Sequence, residues 1–245
     1  MAIGPDTVTL PSRGYRIDPR KALGVAALGW VGFAVIAWAV HSGHTAAIDK
    51  AGILFWRDSD LQPRGSPAVL EDVRDVTALG GVLLRNFFAL MAVVALLFLK
   101  LRREATLLVL TVMVGWIVNT GLKHLIGRAR PEVVPHLMEA SGNSFPSGHS
   151  FNSAVVYLSI ALAFAAISPR ESVRLTILAT ALVVSLLIAW TRVWQGVHWP
   201  SDVTAGWLGG VAWAFTASAL LYRPAKAAAD TVSAATDTPA RPTVH

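Results

Sequence analysis

Apolar residues in this chain gather into long uninterrupted runs, not into the alternation of a half-buried strand or the stripe of a surface helix. The first run is Ala22 to Val40, preceded by Arg13, Arg16, Arg20 and Lys21. A charged start before an apolar stretch is also the pattern of a signal peptide. Nineteen residues exceed the ~7–15 of a signal core, so a retained spanning helix is the better reading. Further runs cover about Val76–Leu99 (interrupted by Arg85 and Asn86), Ala105–Gly121, Ser150–Ile167, Leu175–Trp190 and Val203–Tyr222. Each approaches the ~20 residues a helix needs to cross a bilayer. The predicted architecture is therefore all-α, six transmembrane helices in one bundle over 22–222. A cytoplasmic segment, 1–21, precedes it, and a disordered cytoplasmic tail rich in Ala, Thr and Pro, 223–245, follows.

The polar stretches between the runs hold the unusual residues. Segment 41–75 reads as an outer loop, within which Ala46–Trp56 is weakly amphipathic; a surface-lying helix and a plain connection both fit it. Gly206 and Gly210 form a Gly-x-x-x-Gly pair that permits close helix approach. Segments 123–149 and 191–202 bring together cations, histidines and a carboxylate, and are the candidate active-site segments.

Composition narrows the function classes. Charged residues make up only 15% and hydrophobic ones 54%, which excludes an ordinary soluble domain and a disordered chain. No cysteine is present, so thiolate catalysis, thiolate metal sites and disulfides are all excluded. The net charge of +6 raises nucleic acid as a partner, but its location argues against that. With the N-terminus inside, twelve basic residues face six acidic ones on the inner side, whereas nine and nine cancel outside. The excess is thus an orientation signal that puts both termini in the cytoplasm, with no support for a nucleic-acid partner.

Three clusters then fall on the outer side: Lys123-x6-Arg130-Pro131, Pro146-Ser147-Gly148-His149, and Arg192-x5-His198-x3-Asp202. Lys123, Arg130 and Arg192 converge if the outer ends of the third and fifth spans pack together, and such cations suit a phosphate. Ser147 suits a helix cap, leaving the N–H groups of Gly148 and His149 free for an anion. His198 and Asp202 are four apart, close enough for the carboxylate to fix the imidazole tautomer. This inventory points to phosphoryl transfer through a phosphohistidine. The competing reading, a metal held by His149, His198 and Asp202, is disfavoured by the surrounding cations.

Together the motifs resemble the tripartite signature of the type 2 phosphatidic acid phosphatase family. These are integral-membrane lipid phosphate phosphatases whose site is shared with bacterial acid phosphatases and vanadium haloperoxidases. The motifs cover Lys123 to Asp202, and the six-span layout extends the likeness over most of the chain. One departure is Thr191, where the family usually has Ser before the third-motif Arg; the hydroxyl is kept. The resemblance implies His198 as nucleophile, Asp202 orienting it, and His149 as acid to the leaving group and then base to water. Lys123, Arg130, Arg192, Ser147 and Gly148 would bind the phosphoryl oxygens, with no cofactor and no metal. Expected partners are the bilayer and a lipid phosphate or diphosphate, such as phosphatidic acid, phosphatidylglycerol phosphate or a polyprenyl diphosphate, at the outer face of an inner (plasma) membrane. Two alternatives share these features: a phosphotransferase using another acceptor than water, and a non-catalytic lipid-binding or transporting bundle. Nothing in the sequence bears on oligomeric state.

Of the other charged residues, Arg128 reads first as a solvated interfacial charge, with contact to a second phosphate or a lipid headgroup as the alternative, while Arg85 divides between snorkelling to the interface and supporting the site. His124 and His136 read as loop residues without a chemical role. Trp190, Trp194 and Trp199 read as an interfacial aromatic belt.

Overall fold

Asp18 opens the first helix by accepting from the backbone N–H groups of Arg20 and Lys21, with Pro19 at the first helical position, where a missing N–H costs nothing. The computed structural model describes residues 17–236, and its regular structure there is entirely helical. The helices are α1 (Pro19–His41), α2 (Ala46–Leu54), α3 (Pro67–Gly80), α4 (Val82–Phe98), α5 (Arg102–Ile126), α6 (Gly148–Ala165), α7 (Glu171–Trp194) and α8 (Pro200–Thr236). Five of them, α1, α5, α6, α7 and α8, contain stretches long and apolar enough to cross a membrane. The pair α3 and α4 meets the same test jointly, bent by 51° at the break.

The exterior carries Leu28, Leu83, Phe98 and Leu125, all strongly exposed, while Ser150, Asn152, Ser153 and Ser185 are buried. Apolar outside and small or polar inside is the arrangement of a bundle solvated by lipid. Helix α6 is its axis, touching α3, α4, α5, α7 and α8. Glycine makes the tightest of these contacts possible: a Cβ on Gly210 would stand 2.3 Å from the Phe151 carbonyl oxygen, and one on Gly206 2.7 Å from that of Ser147. The Gly-x-x-x-Gly pair therefore locks α8 onto α6.

Two expectations need correction. The second span is not one continuous helix from Val76: it begins at Pro67 and breaks at Gly81, whose ψ of 158° is extended. Consecutive glycines, Gly80 and Gly81, remove the side-chain packing that would hold a helix through that point. Of the two readings of Ala46–Trp56 the helical one holds, since α2 falls within segment 41–75, as does the first half of α3. Helix α8 continues to Thr236, past the expected end near Tyr222, through an alanine-rich stretch of high helix propensity. The expectations for residues 1–16 and 237–245 lie outside the described residues.

Candidate active site

Chain direction brings the C-terminal ends of α5 and α7 and the N-terminal ends of α6 and α8 to one face. The Ser147 N–H donates to the Asp202 carbonyl at 3.0 Å, tying the starts of α6 and α8 together. Gly127, at φ +63°, closes α5 in the left-handed conformation that glycine favours, and the chain then crosses the mouth of the site to α6.

His198 sits in the short link between α7 and α8 and is 2% exposed. Its Nδ1 lies 3.2 Å from Ser144 Oγ and 3.5 Å from Asp202 Oδ2. Ser144 in turn donates to Asp202 Oδ2 through a short hydrogen bond. On the other edge of the ring, Arg130 Nη1 stands 3.1 Å from Nε2. A guanidinium only donates, so Nε2 carries the lone pair and Nδ1 the proton. Burial, followed by the nearby Arg130 and Arg192, pushes the His198 pKa down to about 3, outweighing the Asp202 contact that raises it. The imidazole is therefore neutral, with its free lone pair facing the cations.

Asp202, in the first turn of α8, is fully buried and saturated with donors. Its Oδ2 also accepts from the Trp199 N–H at 3.0 Å, and Oδ1 pairs with Arg128 Nη1 at 2.6 Å. Arg128 continues to Asp49 Oδ2 at 2.7 Å, donates to Ser201 Oγ at 2.7 Å, and stacks over Trp199 at 5.4 Å. Asp49, on α2 and 1% exposed, also accepts from the Ser201 N–H at 2.9 Å and Ser201 Oγ at 2.7 Å. Arg128 is thus no solvated surface charge: it joins α2 to the carboxylate behind His198. Ser144, Arg128 and Asp49 were not picked out as site residues by the sequence. Only Ser144 and Arg128 had a signal, their closeness in sequence to the second and first motifs.

The cations surround the open edge of His198. Arg130 is fixed by the carbonyls of Ser141 (2.8 Å), Gly142 (3.1 Å) and Val197 (2.8 Å), which aim its Nη1 at the ring. Partial burial lowers its pKa from the ordinary value, only partly offset by Asp202. Lys123 Nζ donates to the Asn143 carbonyl at 2.7 Å, and its Cε lies 3.5 Å from where a Cβ on Gly148 would stand. The ammonium therefore hangs over the start of α6. Arg192, buried in the last turn of α7, donates from Nη1 to Gln195 Oε1 at 2.9 Å and keeps a buried Nε without a partner. Ser147 is the N-cap of α6 and accepts from the Ser150 N–H at 3.5 Å. As first-turn residues of α6, Gly148 and His149 have backbone N–H groups without a partner inside their helix.

His149 is half-buried, its Cδ2 against Gly80 at the α3–α4 break, within electrostatic reach of His198, Arg192, Arg130 and Arg85. It takes part in none of the hydrogen bonds that fix the other site residues. All eight residues singled out by the motifs are thus at one face. Thr191 keeps its hydroxyl in use, accepting from Thr77 Oγ1 at 2.6 Å and donating to the Ile188 carbonyl at 2.7 Å. His136 accepts no such role, its Nε2 lying 2.6 Å from the Pro131 carbonyl, and Trp194 is buried at 2% exposure, so it is not part of an interfacial belt.

The chain resembles known proteins. The chain is 30% identical over 187 residues to phosphatidylglycerophosphatase B of Bacillus subtilis, covering 73% of this chain and 86% of that protein. It is 32% identical over 120 residues to undecaprenyl-diphosphatase of Sulfolobus acidocaldarius, covering 47% of this chain and 54% of that one. In three dimensions it matches the crystal structure of a transmembrane PAP2 type phosphatidylglycerolphosphate phosphatase from Bacillus subtilis, with a TM-score of 0.70 and 27% identity over 81% of this chain and 96% of the other. The sequence profile of the PAP2 superfamily matches residues 104–225, a stretch that contains both histidines, the carboxylate and every cation of the site. The chain belongs to the PAP2 superfamily and is a membrane lipid phosphatase.

Proposed function

We propose that the enzyme cleaves its lipid phosphate through a phosphohistidine on His198. The observation that carries this reading is the ring's two-sided environment: Nδ1 toward Ser144 and Asp202, Nε2 toward Arg130. Nε2 attacks phosphorus, forming an N–P bond as the bond to the lipid oxygen breaks. His149, present as the imidazolium when the anionic substrate is bound, gives its proton to that oxygen and is left neutral. In the second step His149 takes a proton from water, which attacks the phosphohistidine and releases inorganic phosphate. Positive charge appearing on His198 during attack is met by Asp202, buried and already oriented by Arg128 and Ser144. Lys123, Arg130 and Arg192, with the α6 start, receive the three phosphoryl oxygens. The unpartnered Nε of Arg192 suits that role, since a buried donor without an acceptor is costly until a ligand supplies one.

The site faces the extracytoplasmic side of the cell membrane in this reading, because the basic excess lies at the opposite ends of the spans. Ser141→Cys and Arg170→Cys, introduced into a chain without cysteine, test the sidedness. Ser141 is exposed and avoids the positive φ of Gly142. An impermeant thiol reagent on intact cells labels position 141 and not 170; the reverse pattern refutes the orientation. For the chemistry, purified protein releases phosphate from lipid phosphates in EDTA and is inhibited by vanadate, which mimics five-coordinate phosphorus. His198→Ala abolishes turnover and the acid-labile, alkali-stable phosphoprotein. Near wild-type turnover in that variant would overturn the assignment.

A further inference from the structure

Arg85 is a permanently charged residue one turn beyond the break between α3 and α4, inside an apolar run, and 6% exposed. Its Nη1 donates to the Gly80 carbonyl at 3.0 Å, which caps the broken end of α3. That bond uses one of five N–H donors and does not need a full charge. The adjacent Leu79 carbonyl is already taken by Tyr157 OH at 2.8 Å. Among the described residues no carboxylate pairs with Arg85. A buried cation at membrane depth without a counter-ion is expensive, and such residues face a site or a partner charge.

What lies on the other side of Gly80 identifies that partner. A Cβ there would stand 3.2 Å from His149 Cδ2 and 2.9 Å from Ser153 Oγ, and the Ser153 hydroxyl is buried without a hydrogen-bond partner. A guanidinium with spare donors, an unused hydroxyl and the His149 ring thus meet around one residue. His149 marks the leaving-group side, opposite the His198 attack. A neutral diacylglycerol leaving there would present no charge to Arg85. A leaving group that is itself a lipid phosphate would.

Resting on the His198–His149 reading above, we propose that Arg85 is a specificity-determining residue that binds the lipid-side phosphate of a diphosphate. Attack by His198 on the terminal phosphorus breaks its bond to the bridging oxygen. His149 protonates that oxygen, the lipid monophosphate departs, and water then returns His198 with release of inorganic phosphate. The charge left on the departing monophosphate is met by Arg85, with Ser153 as a further donor.

The test compares farnesyl diphosphate and farnesyl monophosphate, equal in chain, on the purified full-length protein. In the wild type the diphosphate has the higher kcat/KM. In Arg85→Gln the ratio of the two kcat/KM values falls at least tenfold, and Arg85→Lys restores part of it. A ratio unchanged by Arg85→Gln, whatever the absolute rates, reduces Arg85 to a cap on α3 and overturns the proposal. Where Arg85→Gln does not fold, the wild type decides: a farnesyl methylenediphosphonate inhibits at least tenfold more tightly than the matching monophosphonate, and equal inhibition overturns it. A wild type inactive on both substrates and on phosphatidic acid would instead sink the phosphatase chemistry itself.

Discussion

Replacing Asp49 by Asn tests whether the surface helix α2 is coupled to His198, the proposed nucleophile. Asp49 is 1% exposed and holds three donors: Arg128 Nη2 at 2.7 Å, the Ser201 N–H at 2.9 Å and Ser201 Oγ at 2.7 Å. Asparagine keeps the shape and one acceptor, but loses the charge and turns an NH2 toward donors it cannot satisfy. Breaking one side of a buried ion pair costs ~3–5 kcal/mol. Arg128 is 18% exposed and still bound to Asp202, so the lower end applies, about 3 kcal/mol. For a chain of this size that corresponds to a fall in Tm of roughly 6–12 °C. The catalytic consequence is smaller, because Asp202 keeps Ser144 and the Trp199 N–H. A loss of about 1 kcal/mol in orientation lowers kcat by roughly fivefold. Thermal unfolding in detergent and initial-rate kinetics measure the two effects. Arg128→Lys supplies the second corner of a double-mutant cycle, since a lysine is a point charge and cannot bridge two carboxylates with a fork. The coupling between the two sites is expected to be at least about 1 kcal/mol. A Tm within about 2 °C of wild type, together with additive single effects, would show that α2 is only a passive connection.

Three further outcomes follow from the geometry. His198 is neutral in the fold down to about pH 3 but takes up a proton near 6.5 once unfolded, so the unfolded chain binds more protons between those values and stability falls as pH drops. The difference in unfolding free energy between wild type and His198→Gln then declines by about 1.4 kcal/mol per pH unit from pH 6 to 4, and parallel stability profiles would contradict it. Ser144→Ala removes the hydroxyl linking His198 to Asp202, and kcat falls about tenfold or more, the worth of a hydrogen bond to a charged group; a change under twofold would show the Nδ1 contact to Asp202 suffices alone. Gly210→Ala drives a methyl against the Phe151 carbonyl and destabilises by ~1–3 kcal/mol, whereas Gly121→Ala, with open space around it, is neutral or slightly stabilising; equal Tm values for the two would refute the α6–α8 lock.

The parts of the molecule legible in the sequence are those whose chemistry is local. A spanning helix is recognisable from its own twenty residues, and the motif residues sit within short windows at helix ends, where an N-cap serine or an i, i+4 His–Asp pair has a fixed geometry. The Asp49 role was not legible, because its partner Ser201 is 152 positions away and only the docking of α2 on α8 joins them. Arg128 was misjudged for the same reason: whether a charge is solvated depends on which carboxylates the fold brings to it. The break at Gly81 had a local signal in Gly80-Gly81, but continuous hydrophobicity through that point masked it, since burial in lipid and burial against α6 and α7 favour the same residue types.

The charges at the site fall into two sets. Four cations, Lys123, Arg130, Arg192 and Arg128, stand around His198 and Asp202, and Arg128 is already matched by Asp202 and Asp49. Lys123 and Arg130 rest on backbone carbonyls, and Arg192 leans on Gln195 and Met138. These are acceptors that hold a cation in place without neutralising it. The arrangement separates two tasks that adjacent charges would otherwise confuse. The oxygens of Asp202 are taken by Arg128, Ser144 and the Trp199 N–H, which holds the carboxylate on the Nδ1 side of His198 while its charge still reaches Lys123 and Arg130. The positive charge on the Nε2 side is only partly offset by Asp202, and in the proposed mechanism an arriving phosphoryl group brings the rest of the negative charge. As the proposed nucleophile, His198 kept neutral by burial beside cations that carbonyls hold would be unreactive toward neutral electrophiles and selective for an anionic one. That selectivity follows from where the acceptors are carbonyls and where they are carboxylates, which the helix ends around the site determine.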